Sequence, residues 1–124
     1  MKTKYGNKKI TVGGEVFDSR KELRRYNQLM LLQSRGEISE LKRQVEYELL
    51  PNQYEIIERY SEKTGKRLKD EKRLVERRVC YVADFVYQKY GETIVEDTKG
   101  FKTKDYILKR KMMFFFKGIK IREI

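Results

Sequence analysis

Two stretches rich in β-branched and aromatic residues, Arg73 to Gln88 and Thr93 to Thr98, lie on either side of a short turn around Tyr90-Gly91. That pattern predicts two strands joined as a hairpin. Side chains alternate across a strand, so Asp97 and Lys99 share a face, and Asp84 on the preceding strand can meet them there. Asp84 stands between Val82-Ala83 and Phe85-Val86. A carboxylate in such an apolar run is costly to bury alone, so it demands a partner. An Asp-x-Lys tripeptide by itself describes an ordinary solvated strand face equally well. Two carboxylates and an ammonium at one place, however, suit phosphodiester hydrolysis. Hard oxygen ligands hold Mg²⁺, and a lysine either stabilises the charged transition state or helps deprotonate the attacking water.

The rest of the chain supplies a frame for this hairpin. Ile10 to Val12 and Val16-Phe17, separated by Gly13-Gly14, read as a short hairpin. Ser19 opens a helix that runs to Ser34 and ends at Gly36, with Leu23, Tyr26, Met30 and Gln33 along one side. Glu22, three residues after Ser19, completes a capping box. From Ile38 to Tyr60 the alternation favours strands, interrupted at Pro51-Asn52, and Ser61 to Lys72 reads as a loop or hairpin tip. Thr103 caps a second helix running toward Phe115. After Gly118, Ile119 to Ile124 alternates as a final edge strand with Ile119 and Ile121 on one face. The expected fold is α/β: a central mixed sheet of about five strands flanked by two main helices. Residues 1–9 are expected to form a basic flexible arm and 10–124 a single domain.

Composition narrows the chemistry. The 124 residues include 30 Lys+Arg and 19 Asp+Glu, a net charge of +11, which points to a polyanionic partner. Histidine is absent, so Cys-His and Ser-His nucleophiles and histidine-zinc sites are excluded. The single cysteine, Cys80, reads as core filling and excludes an intramolecular disulfide. No run approaches the roughly 18 apolar residues needed to span a bilayer, and a cytoplasmic location is expected.

The segments Phe17-Asp18-Ser19-Arg20-Lys21-Glu22, Tyr81-Val82-Ala83-Asp84-Phe85 and Val95-Glu96-Asp97-Thr98-Lys99-Gly100-Phe101-Lys102-Thr103-Lys104, in that order, resemble the PD-(D/E)xK nuclease superfamily, and more narrowly small phage-encoded Holliday-junction resolvases. The resemblance implies that Asp84 and Asp97 ligate Mg²⁺ (with Mn²⁺ as a substitute) and that Lys99 is the catalytic lysine. It also implies that Glu22 reaches in from the first helix as a further ligand or water-orienting group. Ala83 stands where the family pattern has its nominal proline. Glu96 competes with Asp97 for the ligand role, and parity with Lys99 favours Asp97. Glu22 remains open between helix cap and site residue, and Gln44 is a candidate for the rim.

The activity expected on this basis is a structure-selective DNA endonuclease, first a homodimeric Holliday-junction resolvase making paired nicks in a four-way junction. The alternatives are a nuclease of the same mechanism on other DNA structures, or a non-catalytic basic nucleic-acid-binding protein. Lys2, Lys4, Lys8 and Lys9 on the arm, and Lys104, Tyr106, Lys109 and Lys111 on the second helix, with Arg110 beside them, are the expected DNA contacts.

Overall fold

The computed structural model describes residues 9–124. Its elements in chain order are β1 (Ile10–Val12), β2 (Glu15–Phe17), α1 (Arg20–Ser34), β3 (Ser39–Leu50), β4 (Gln53–Ile57), β5 (Glu71–Glu76), β6 (Val79–Lys89), β7 (Glu92–Asp97), α2 (Lys104–Lys117) and β8 (Arg122–Glu123). The central sheet has four strands in the order β3-β6-β7-β8. Its first two pairings are antiparallel and the last is parallel, so the sheet is mixed. The fold is α/β, with two separate two-stranded ribbons, β1-β2 and β4-β5.

The hairpin at its centre forms as its residues dictate. Lys89 pairs with Glu92, leaving Tyr90 and Gly91 as a two-residue turn in which both have positive φ, 50° and 78°. Such a turn matches the twist of the strands it joins, and glycine at its second position meets no steric cost. Helix boundaries follow their caps. The Ser19 side chain accepts the backbone N–H of Glu22, and the Thr103 side chain accepts that of Tyr106.

Two apolar clusters place the helices. Leu29 of α1 packs with Ile38, Phe85 and Tyr87, whereas Tyr106 and Met113 of α2 pack with Tyr81, Ala83, Val86, Val95 and Ile121. Phe85 and Val86 are consecutive strand residues in different clusters, so α1 and α2 lie on opposite faces of the sheet. Between Ala83 and Phe85 the alternation breaks. Opposite that break, Gln44 on β3 takes a positive φ of 51°, and its neighbours Arg43 and Val45 pair with Phe85 and Ala83. Asp84 therefore sits at an irregularity in the sheet, the kind of place where a backbone kink re-aims a side chain.

Four expectations require correction. The strand expected from Arg73 to Gln88 is two strands, in different sheets, broken at Arg77-Arg78. The break coincides with Pro51-Asn52 on the paired chain: the Asn52 side chain accepts the backbone N–H of Arg78 at 2.6 Å, and Arg78 pairs with Glu46 at 2.8 Å. The N-terminal part of that stretch goes to the β4-β5 ribbon, and the central sheet keeps four strands, consistent with the expected mixed sheet of about five. The final edge strand is only Arg122–Glu123, because β7 ends at Asp97 and offers no longer ladder. Ile121 is buried in the α2 cluster instead. The inward face of α1 is rotated from the expected one: Met30 is exposed and Leu29 fully buried, with Glu22 and Arg25 pointing inward as well. Charged residues at inward positions, each paired with a residue of another element, hid the stripe. Cys80, expected as core filling, is half-buried and belongs to neither cluster. Among the described residues, no helix is long and apolar enough to cross a membrane.

Candidate functional site

The last β6–β7 pair is Phe85 with Glu96, and beyond it the two strands separate. Asp84 lies at that fork. Its Oδ2 accepts both the backbone N–H of Thr98 at 2.9 Å and the Thr98 hydroxyl at 2.8 Å. The carboxylate thus caps the end of β7 and holds the Asp97-Thr98-Lys99 segment against β6. Its other oxygen, Oδ1, has a single long contact with the Gln44 amide at 3.3 Å.

Asp97 is fully buried. Its Oδ2 accepts the Tyr81 hydroxyl at 2.6 Å, while its Oδ1 has no hydrogen-bond partner among the described residues. The nearest cation to that orphaned oxygen is Lys99, whose Nζ is 4.0 Å away and 5.4 Å from the centre of the Tyr106 ring. Burial, and next the charge of Asp84, push the Asp97 carboxyl up to about 7. The same burial holds the Tyr81 hydroxyl well above its usual range.

Glu22 enters from the first turn of α1 and is likewise buried. Its Oε2 accepts the backbone N–H of Asp18 at 2.9 Å. Its Oε1 accepts Arg43 at 3.2 Å and the Gln44 amide at 3.1 Å. Burial, with the charge of Asp84, raises its carboxyl above the ordinary range. One Glu22 oxygen fastens the helix start, and the other faces the Gln44 amide that also contacts Asp84. Gln44 is therefore a bridge between two acids. Arg43 lies over the Phe17 ring at 3.8 Å and also donates to the Val16 carbonyl at 2.9 Å, fixing the β2 hairpin beneath Glu22.

A cleft of about 180 Å³ opens between these elements, lined by Glu22, Asp84, Thr98, Lys99 and Gly100. Lys99 is partly exposed at this cleft and Asp97 lies behind it. Glu96 is excluded. It faces α1, where Arg25 binds both its oxygens at 2.7 and 2.8 Å and the Tyr87 hydroxyl donates to it as well.

Among the described residues, no set of three or more His, Cys, Asp and Glu side chains is close enough to hold a metal ion by itself. The donors nevertheless suit a hard cation, since Mg²⁺ commonly takes one or two carboxylates and completes its shell with water and substrate phosphate. The oxygens left for an ion are Asp97 Oδ1 and the loosely engaged Asp84 Oδ1. Burying an acceptor with no partner is costly and calls for an ion or water. Glu22, both of whose oxygens are engaged, fits better as a support for Asp84 than as a direct ligand.

The expected DNA contacts divide. Lys2, Lys4 and Lys8 lie outside the described residues, and Lys9 is exposed. Lys104 and Lys111 are exposed on α2, Lys109 pairs with Asp105 at 3.3 Å, and Arg110 pairs with Glu123 at 3.2 Å. Tyr106 is corrected: it is 4% exposed, packs in the core and donates to Glu123 at 3.0 Å, so its ring is not part of an open nucleic-acid surface. Sequence reasoning missed Arg25, Arg43, Tyr81 and Thr98. Only Thr98, between Asp97 and Lys99, had a signal in its position; the others act across long sequence separations.

Fold and site together define an α/β protein with two juxtaposed carboxylates and a lysine at a fork in its sheet. The chain belongs to a family described as "Protein of unknown function (DUF1064)", whose model matches residues 2–123. No curated protein and no solved structure matches the chain.

Proposed function

We propose that the protein is a metal-dependent DNA endonuclease of the PD-(D/E)xK type, with a four-way junction as its preferred substrate. The observation that carries this reading is the orphaned, buried Asp97 Oδ1 beside Asp84, with the Lys99 ammonium 4.0 Å away at the cleft. Without a cation, two neighbouring acids would repel a phosphate; with one, the same acids become the means of holding it. A divalent ion bound there supplies Lewis-acid polarisation of the phosphate and a more acidic attacking water.

The chain's own residues do the remainder. Asp84 and Asp97 are the ligands. Asp84 is oriented by Thr98 and Gln44, and Asp97 by Tyr81. Lys99 places positive charge beside the reacting phosphate, where charge develops in the transition state. Glu22, through Gln44, keeps Asp84 in position. The net charge of +11 supports a polyanionic substrate. With one cysteine and no histidine the sequence cannot form a zinc finger, and the described residues contain no helix-turn-helix, which favours recognition of DNA shape over sequence. Paired nicks across a junction require two active sites, hence a homodimer. The exposed Phe114, Phe115 and Phe116 offer an apolar surface for one.

The test incubates the protein, Asp84→Asn and Lys99→Met with end-labelled four-way junction and matched linear duplex, in Mg²⁺ or EDTA. The expected result is symmetric nicking of the junction by the unaltered chain alone, lost in EDTA and reduced about 100-fold or more in both variants. Equal cutting of both DNAs would remove the junction preference and leave the nuclease. Binding without cutting in Mg²⁺ or Mn²⁺ would overturn the enzyme reading.

A further inference from the structure

The ribbon β4-β5 leaves the central sheet at Pro51-Asn52 and Arg77-Arg78 and contributes no residue to either apolar cluster. It continues past its last ladder pair, Ile57 with Glu71, through a Tyr60–Arg67 bridge. Its tip is closed by backbone hydrogen bonds from Ser61 to Lys66 and from Gly65 to Ser61. A two-stranded ribbon is at best marginally stable alone in water. This one also leaves Tyr54, Ile56, Leu74 and Val75 exposed, Ile56 at 62%. Such an element is better explained by a partner than by solvent.

The charge at the tip identifies the partner. Between Arg59 and Lys69, the five cations Arg59, Lys63, Lys66, Arg67 and Lys69 stand against one acid, Glu62. Arg67 is held by Asp70 at 2.9 Å. The other four cations make no ion pair among the described residues. A twisted β-ribbon fits the major groove of a duplex, with basic residues at its end reaching phosphates. The base of the ribbon at Arg78 is six residues along the chain from Asp84, about 20 Å of strand, and the ribbon itself adds about 25–30 Å. We propose that β4-β5 and its tip form an arm that docks in the groove of double-helical DNA about one turn from the bond at Asp84. The location of that bond rests on the nuclease reading; the docking of the arm on DNA does not.

The test uses Arg59→Gln/Lys63→Gln/Lys66→Gln/Lys69→Gln in one chain, all at exposed positions outside the cleft. Hydroxyl-radical footprints are taken on a four-way junction with 25-base-pair arms, in EDTA so that no strand is cut. The expected result is a footprint shortened by about one helical turn and a slope of log affinity against log salt reduced by about 3. Cleavage in Mg²⁺ of a four-way junction with arms of about 10 base pairs, too short to reach the tip, should be the same for both chains. An unchanged footprint and salt slope would overturn the arm while leaving the nuclease intact. A shortened footprint with no cutting by either chain would support the arm and overturn the nuclease. If light scattering shows the unaltered chain as a dimer and the variant as a monomer, with the footprint unchanged, the arm binds a second copy and the DNA proposal fails.

Discussion

Glu96 and Asp97 are adjacent on β7 and fully buried, yet they occupy opposite electrostatic situations. Glu96 faces α1 and is neutralised by Arg25 through two hydrogen bonds. Asp97 faces the α2 side, with one oxygen on Tyr81 and the other unpartnered, 4.0 Å from Lys99. One carboxylate has its counter-ion inside the protein. The other has one oxygen without a partner among the described residues.

Asp97 makes the metal-free protein pH-sensitive. Its folded-state pKa of about 7 lies above the ordinary value of 3.8, chiefly because burial disfavours the charge. A raised acidic pKa means that the native state binds the proton more tightly. The stability this confers is full below about pH 4 and is lost as pH rises through 7. In EDTA, Asp97→Asn should therefore be more stable than the unaltered chain at pH 8, by on the order of 2–4 kcal/mol, and level with it near pH 4. Thermal melts across that range check the difference. A variant no more stable at pH 8 would refute the raised pKa.

Arg25 holds β7 to α1. Replacing it with Met leaves Glu96 buried with only the Tyr87 hydroxyl as partner, and breaking a buried pair from one side costs about 3–5 kcal/mol. Adding Glu96→Gln removes the stranded charge and should recover most of that loss. Urea unfolding of the single and double variants measures it, and equal stability of the two would show that the charge of Glu96 is not what the arginine balances.

The two roles of Glu22 are separable. Ser19→Ala removes the cap on α1 and should lower stability by about 1 kcal/mol, with a smaller effect on cleavage than Glu22→Gln even though Ser19 lines the cleft. Glu22→Gln can still accept the Asp18 N–H but loses its charge pairing with Arg43 and its link to Asp84 through Gln44. Cleavage should fall about 10-fold or more in that variant, with stability changed by less than about 2 kcal/mol. If Ser19→Ala reduces cleavage as much as Glu22→Gln, Glu22 acts only as a cap.

The β6–β7 hairpin, both helices with their caps, and the grouping of Asp84, Asp97 and Lys99 were legible in the residues. Each depends on local preferences: β-branched and aromatic runs, the Tyr90-Gly91 turn, Ser19 and Thr103 as caps, and strand parity. Parity also puts Asp97 and Glu96 on opposite faces, and in the structure Glu96 faces Arg25 of α1 while Asp97 meets Tyr81. The inward face of α1 was misread for a physical reason. Two of its inward positions, Glu22 and Arg25, are charged residues whose partners lie on β3 and β7, so periodicity in hydrophobicity did not mark them.

Local chemistry therefore decided which segments become helix or strand and which acids stand near Lys99, since turns, caps and alternation act over a few residues. Tertiary structure alone decided the rest: the break at Arg77-Arg78 that sets the β4-β5 ribbon apart, the placement of α1 and α2 on opposite faces, and the Gln44 amide between Glu22 and Asp84. It also decided that one oxygen of Asp97 is left without a partner. Burial, hydrogen bonding and electrostatic cost are properties of what surrounds an atom, and those surroundings are assembled from residues 16 to 71 positions apart in the chain.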